Sequence, residues 1–174
     1  MAKKLLVVVD MQNDFIDGSL GSKDAEAIVQ NVVAKINGWD GAVIATLDTH
    51  CENYLETLEG QKLPVAHCIK ETAGWKLNPA IAEAVKAKGA KIVEKGTFGC
   101  VKLGEIIREW IGMPEEIHVC GLCTDICVVS NALLLRAEFP NTRMAVCRDC
   151  CAGVTPAKHA AALDVMASCQ IDVL

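Results

Sequence analysis

Short apolar runs alternate along this chain with longer amphipathic stretches, and that alternation sets the fold class. Leu5–Asp10, Ala42–Leu47, Lys91–Glu94, Glu116–Cys120, Arg143–Cys147 and Gln170–Val173 read as strands. Their apolar residues are consecutive rather than alternating, as expected of parallel strands covered on both faces. Helical periodicity predicts helices over 23–38, 77–88, 101–111, 124–138 and 156–168. Asn37-Gly38 and Lys88-Gly89 read as C-terminal stops, and Thr155-Pro156 as a helix start. The order predicts an α/β fold, a three-layer α/β/α arrangement around a doubly wound, mostly parallel six-stranded sheet. No repeat, low-complexity tract or Pro/Ser-rich linker divides the pattern, so residues 1–174 are expected to form one domain.

The stretch from Asp48 to Trp75 breaks the rhythm. It has no clear period and carries Asp48, His50, Glu52, Glu56, Glu59, His67 and Cys68. A long excursion of this kind in a compact domain is usually functional. In an open parallel sheet, ligands bind beyond the carboxyl ends of the strands. Asp10, Asp48, Lys95 and Cys120 to Cys127 all fall at or just after such ends, which places them along one rim.

Composition narrows the picture. The chain has 174 residues, 52% of them hydrophobic and 22% charged, which supports a substantial core and excludes a disordered chain. A net charge of −5 offers no footprint for nucleic acid or an anionic membrane. No apolar run approaches the ~20 residues of a membrane span. Neither nucleic acid nor membrane is therefore expected as a partner.

Ten cysteines ask for an explanation. Met1-Ala2-Lys3-Lys4 is basic, but the apolar run after it, Leu5 to Val9, ends at Asp10. That is short of the ~7–15 residues of a signal-peptide core. The expectation is a cytoplasmic protein in a reducing compartment, with most thiols acting as small buried hydrophobes.

One thiol stands apart. In Cys120-Gly-Leu-Cys-Thr-Asp-Ile-Cys127, a strand end meets a glycine turn, Thr124 is placed to cap the next helix, and Cys127 falls in that helix's first turn. Free backbone N–H groups there can stabilise a thiolate or an oxyanion. Asp10 and Lys95, at other strand ends, are a suitable proton acceptor and cation. By spacing alone, Cys127 is equally an inert helix cysteine. Asp48-Thr-His50 with His67 offers one carboxylate and two imidazoles, a good set for Zn, Mn or Fe that leaves positions open. By spacing alone, an Asp-x-His is more often a surface coincidence.

Together these stretches resemble the isochorismatase-like cysteine hydrolases, and among them the nicotinamidases. The resemblance rests on Asp-Met-Gln-Asn-Asp-Phe (10–15), Lys95 at the third strand's end and Gly-Leu-Cys-Thr-Asp-Ile-Cys-Val (121–128). It implies Asp10 as general base and acid, Lys95 as thiolate partner and Cys127 as nucleophile. It further implies a cis peptide at Leu122–Cys123 and an oxyanion hole from the N–H groups of Cys123 and Cys127. Asp48, His50 and His67 are implied metal ligands, with Glu59 as an added carboxylate and Glu56 as the fallback. The implied cofactor is a divalent metal, zinc first and manganese or iron after it, which would hold the pyridine ring of a small amide substrate. A homo-oligomer is implied too. Better-known nicotinamidases read Asp-Trp-His and Trp-Pro-x-His-Cys, where this chain has Asp-Thr-His and Leu63-Pro-Val-Ala-His67-Cys. Phe15 and Trp75 are the aromatics left to line the pocket.

The expected function is a metal-assisted cysteine amidohydrolase converting nicotinamide to nicotinate and ammonia through a thioester. A related amidase or ureido hydrolase is the alternative. Cys120-x-x-Cys123 also allows a dithiol oxidoreductase and, with Cys147-x-x-Cys150, a structural zinc. No Walker loop, Gly-x-Gly-x-x-Gly or Gly-x-Ser-x-Gly is present, which argues against nucleotide-driven or serine chemistry. His118 and His159 read as structural histidines.

Overall fold

Six parallel strands in the order β3-β2-β1-β4-β5-β6 form the sheet of a computed structural model that describes residues 3–174. Met1 and Ala2, part of the reading of the chain's start, lie outside the described residues. The strands are β1 (Lys4–Val9), β2 (Ala42–Asp48), β3 (Lys91–Lys95), β4 (Glu116–Leu122), β5 (Arg143–Ala152) and β6 (Asp172–Val173). The helices are α1 (Asn13–Ile16), α2 (Lys23–Gly38), α3 (Leu58–Lys62), α4 (Pro79–Ala87), α5 (Leu103–Ile111), α6 (Val129–Glu138) and α7 (Pro156–Ser168). α2 packs beside α4, while α6 packs between α5 and α7. Right-handed crossovers put these two groups on opposite faces, which is the doubly wound layering the pattern predicts.

Leu5 to Val9 are fully buried at the centre of the sheet, as their consecutive apolar character requires. β3 departs from that pattern. It is an edge strand, so Ile92 and Glu94 face solvent and only Val93 and Lys95 turn inward. β4 runs two residues beyond Cys120, and β5 runs five beyond Cys147. The pairing shifts between Val119 and Gly121, and β5 accommodates the shift with the exposed Arg148 and Asp149 before Cys151 pairs with Gly121. Polar residues at that irregularity hide the strand's continuation from a reading of apolar runs.

The helix punctuation holds in part. Thr155 accepts from the Lys158 amide ahead of Pro156, and Gly89 takes φ +59° after α4. Gly38 is instead the last residue of α2 rather than a left-handed stop. The strand expected over Gln170–Val173 shrinks to two residues, because Gln170 bends left-handed at φ 63°.

The order reverses between β1 and β4, the point at which open α/β sheets form their crevice. Gly121 makes this junction tight. It has φ +119°, and a Cβ there would collide with the Val9 carbonyl oxygen. Only glycine lets the end of β4 press against the end of β1.

Candidate active site

β1 delivers Asp10 directly after Val9, in a left-handed conformation at φ 49°. Such strain in a non-glycine residue persists only where the surroundings over-determine it. Here the Thr46 hydroxyl donates to Asp10 Oδ1 at 2.6 Å, and the Asp10 amide donates to the Thr46 carbonyl at 3.2 Å. On the neighbouring strands, Asp48 and Lys95 are register partners that close β2 and β3. Lys95 Nζ lies 2.6 Å from Asp10 Oδ2, 3.2 Å from Asp48 Oδ1 and 3.5 Å from Cys127 Sγ. Asp10, Lys95 and Cys127 are all at most 4% exposed. Sequence separations of 32 to 117 residues thus collapse to one contact set.

Burial and the Asp10 charge push the Cys127 thiol well above its ordinary range, more than Lys95 draws it down. Burial also opposes the Lys95 charge, but Asp10, Cys127 and Asp48 hold the ammonium protonated above its usual range. Burial raises the Asp10 carboxyl, and Lys95 draws it back. Asp10 Oδ2 lies 2.6 Å from the Lys95 ammonium, and a carboxylate oxygen with one such partner keeps a second lone pair for a proton.

Cys127 sits in a π-helical turn, Thr124–Val128, that precedes α6, rather than in the first turn of an α-helix. Thr124 does not cap it; no side chain does. The Cys123 carbonyl accepts from the amides of Ile126 and Val128. The Cys123 amide has no partner among the backbone bonds of the turns and loops around it. An unspent backbone donor beside Cys127 suits an oxyanion. The Leu122–Cys123 peptide is cis.

Asp48 joins the two constellations. Its Oδ1 faces Lys95, while Oδ2 lies 3.0 Å from His50 Nε2 and 3.7 Å from His67 Nε2. Glu59 Oε1 stands 3.7 Å from His50 Nε2 and 3.9 Å from His67 Nε2. One ligand atom from each of these four residues falls within 4.8 Å of the others. Tetrahedral ligands about 2.1 Å from a metal are separated by roughly 3.4 Å, so the donor set fits a divalent ion of zinc's size. The His67 ring donates from Nδ1 to the Val65 carbonyl at 2.8 Å, leaving Nε2 as the lone-pair nitrogen a metal needs. Glu56, the fallback, is not in this group.

The excursion between β2 and α4 is ordered by residues the sequence reading passed over. Gln12 holds Asp48 from both sides, accepting from its amide at 2.7 Å and donating to its carbonyl at 2.8 Å. Asp14 Oδ2 accepts from the Cys68 amide at 2.7 Å, and His50 pairs with Ile69 as a single parallel bridge. Together these place His67 opposite His50. Both Gln12 and Asp14 belong to the 10–15 motif, so the signal was present, but their roles need the fold to be seen. Tyr54 (1% exposed) lays its ring 4.7 Å from His50 and 4.9 Å from His67.

A cavity of about 430 Å³ opens beside Cys127, walled by Phe15, Leu122, Cys123, Ile126 and Phe98, with Asp48, Glu59 and His67 at one side. Trp75 does not line it. Its indole donates to Thr49 Oγ1 at 2.9 Å and its carbonyl accepts from Gln12, so it braces the loop instead. Phe98 takes the second aromatic place; nothing in the spacing marks it.

The isochorismatase domain model matches residues 4–174. The chain belongs to the isochorismatase family. Within the family it is 28% identical to the nicotinamidase/pyrazinamidase of Mycobacterium tuberculosis, over 98% of both chains. It is 31% identical to the nicotinamidase of Saccharomyces cerevisiae, over 75% of this chain and 80% of that one. Among solved structures, a nicotinamidase from Bacillus subtilis superposes with a TM-score of 0.85 at 25% identity, over 98% of both chains. A pyrazinamidase from Pyrococcus horikoshii, solved in complex with zinc, gives 0.81 at 25% identity, over 99% of this chain and 98% of that one.

The family placement sits beside thiol geometry that disfavours the dithiol readings. Cys120 is fully buried within β4, closed to a protein disulfide partner. Among the described residues, Asp48, His50, Glu59 and His67 form the one metal-capable group, and Cys120, Cys123, Cys147 and Cys150 do not gather into another. All ten cysteines are free. His118 bonds Glu116 and Lys35, away from the cavity.

Proposed function

We propose that this protein hydrolyses nicotinamide to nicotinate and ammonia, with Cys127 as nucleophile, Asp10 as general base and acid, and Lys95 as their electrostatic partner. The observation that carries this reading is the single ammonium of Lys95 in contact with Asp10, Asp48 and Cys127. The nicotinamidase relatives supply the substrate.

The chemistry follows from the protonation states. Asp10 takes the Cys127 proton as sulfur attacks the carboxamide carbon. Burial and the Asp10 charge favour the thiol form, and Asp10 stands beside it to take the proton as the sulfur attacks. The amides of Cys123 and Cys127 receive the oxyanion. Asp10 returns the proton to the departing nitrogen, ammonia leaves and a thioester remains. Water then loses a proton to Asp10 and attacks the thioester; the proton goes back to sulfur, and nicotinate is released. Lys95 stays charged throughout and limits the cost of moving that proton in a buried site. Phe15 and Phe98, on the cavity wall, offer apolar faces to an aromatic ring. Asp48, His50, His67 and Glu59 would hold a divalent ion such as zinc, which would supply Lewis-acid chemistry to the bound substrate. In keeping with free thiols and the resemblance, the enzyme is proposed to act in the cytoplasm as a homo-oligomer.

Ammonia release from nicotinamide tests the reading directly, with Cys127→Ala as control. Turnover by the wild type and none by the variant is expected; equal turnover by both rejects the mechanism. A panel of other small amides and ureido compounds tests the substrate separately. Cys127-dependent turnover of one of these, with nicotinamide inert, rejects the substrate and keeps the chemistry.

A further inference from the structure

The turn that carries the nucleophile has no cap of its own, so something else must fix it. Three side chains tie it to its surroundings. Asn131 Nδ2 donates to the Cys127 carbonyl at 2.8 Å, from within α6 itself. Asp125 Oδ1 accepts from the Val154 amide at 2.8 Å, where β5 leaves the sheet. Thr124 Oγ1 lies 2.7 Å from His159 Nδ1, one turn into α7. The last contact is the one that anchors the start of the turn to another element by side chains alone.

Thr124 is fully buried, so its hydroxyl has no recourse to solvent. His159 is the hydrogen-bond partner that the structure gives it. Burial and Arg148 lower the His159 pKa, against Asp125, Asp24 and Asp149. The neutral ring, protonated at Nε2, offers Nδ1 to accept the Thr124 proton. Packing makes the joint stiff. A Cβ on Gly153 would meet Asp125 Oδ1 and the His159 amide nitrogen, each at 2.8 Å. Gly153 also lines both the Cys127 cavity and a second cavity, on whose wall His159 stands. The start of α7 is therefore in close contact with the back of the nucleophile turn.

We infer that His159 is a positioning residue: through Thr124 it holds the π-helical turn in the geometry that aims Cys127 at the substrate. It touches neither substrate nor reacting atoms. The effect of losing it belongs on kcat, because the substrate cavity is walled by other residues. The inference rests on the proposed hydrolysis for its kinetic readout, but not for its chemical one.

The test compares His159→Leu with His159→Asn, whose amide can reoccupy the Nδ1 position. Nicotinamide turnover is measured alongside thermal unfolding and the rate of Cys127 alkylation by iodoacetamide, mapped by peptide mass spectrometry. Expected for His159→Leu are a kcat lowered tenfold or more, a KM within twofold, and an alkylation rate changed at least fivefold. His159→Asn recovers most of both. If His159→Leu matches the wild type, or if His159→Asn is as impaired as His159→Leu, the inference is overturned. A wild type inert toward nicotinamide rejects the proposed substrate, and the alkylation rates then decide the role of His159 alone.

Discussion

Gln12 grips the backbone of Asp48 at both its amide and its carbonyl, across 36 positions of sequence. The side-chain amide behaves like a short extra strand laid against the end of β2. It fixes the residue whose two carboxylate oxygens face Lys95 on one side and the histidines on the other. Gln12→Ala leaves the Asp48 backbone groups buried and unpaired. A loss of about 2–4 kcal/mol is expected. Calorimetry should show a lower melting temperature, and elemental analysis a lower metal content than the wild type. Unchanged metal content would mean that the histidines hold Asp48 in place without Gln12.

Glu59 has the most exposed side chain of the four residues that could hold a metal, and it sits on a five-residue helix. Glu59→Gln should weaken zinc retention against a chelator by roughly tenfold, and His67→Ala should weaken it more. Identical retention in Glu59→Gln and wild type removes Glu59 from the ligand set.

Gly121 leaves no room for a side chain. Gly121→Ala combines strain at a positive φ with a clash against the Val9 carbonyl, a cost of about 2–6 kcal/mol. Because the clash separates β1 from β4, activity per folded molecule should fall along with stability. Chemical denaturation and specific activity measured on one preparation separate the two losses.

His118 gives the fold a pH dependence away from the site. It donates from Nε2 to Glu116 at 2.8 Å and accepts at Nδ1 from Lys35 at 3.1 Å, an arrangement only the neutral ring can make. Burial and Lys35 lower its pKa, with Lys4 adding to the effect and Glu116 opposing it. A histidine depressed in the folded state binds fewer protons there than when unfolded. Its stabilisation is therefore complete above the unfolded value of about 6.5 and is lost as pH falls through the folded value. Melting temperature should decline between pH 7.5 and pH 5, and His118→Asn should flatten that decline. A His118 C2 proton titrating above 6.5 by NMR would contradict the assignment.

Much of this was legible from the order of residues. The buried parallel strands announced themselves as consecutive apolar runs, and strand ends placed Asp10, Asp48, Lys95 and Cys127 on a common rim. What stayed hidden depended on partners distant in sequence. Thr124 looks like a helix cap, but its hydroxyl turns to His159, which lies 35 positions on. Trp75 looks like a pocket wall until Gln12 and Thr49 claim it. Short elements such as α1 and α3 carry too few residues to show a period, and α3 is the one that presents Glu59.

The thiols that form the walls of the molecule are also its seals. Cys68, Cys120 and Cys151 are at most 4% exposed, and burial pushes each thiol far up, so they stay protonated and out of reach. Cys51 and Cys169 stand open to solvent. At these five positions a thiol reagent added to the folded protein therefore reads two clocks at once, surface access in the first moments and the opening of the sheet thereafter.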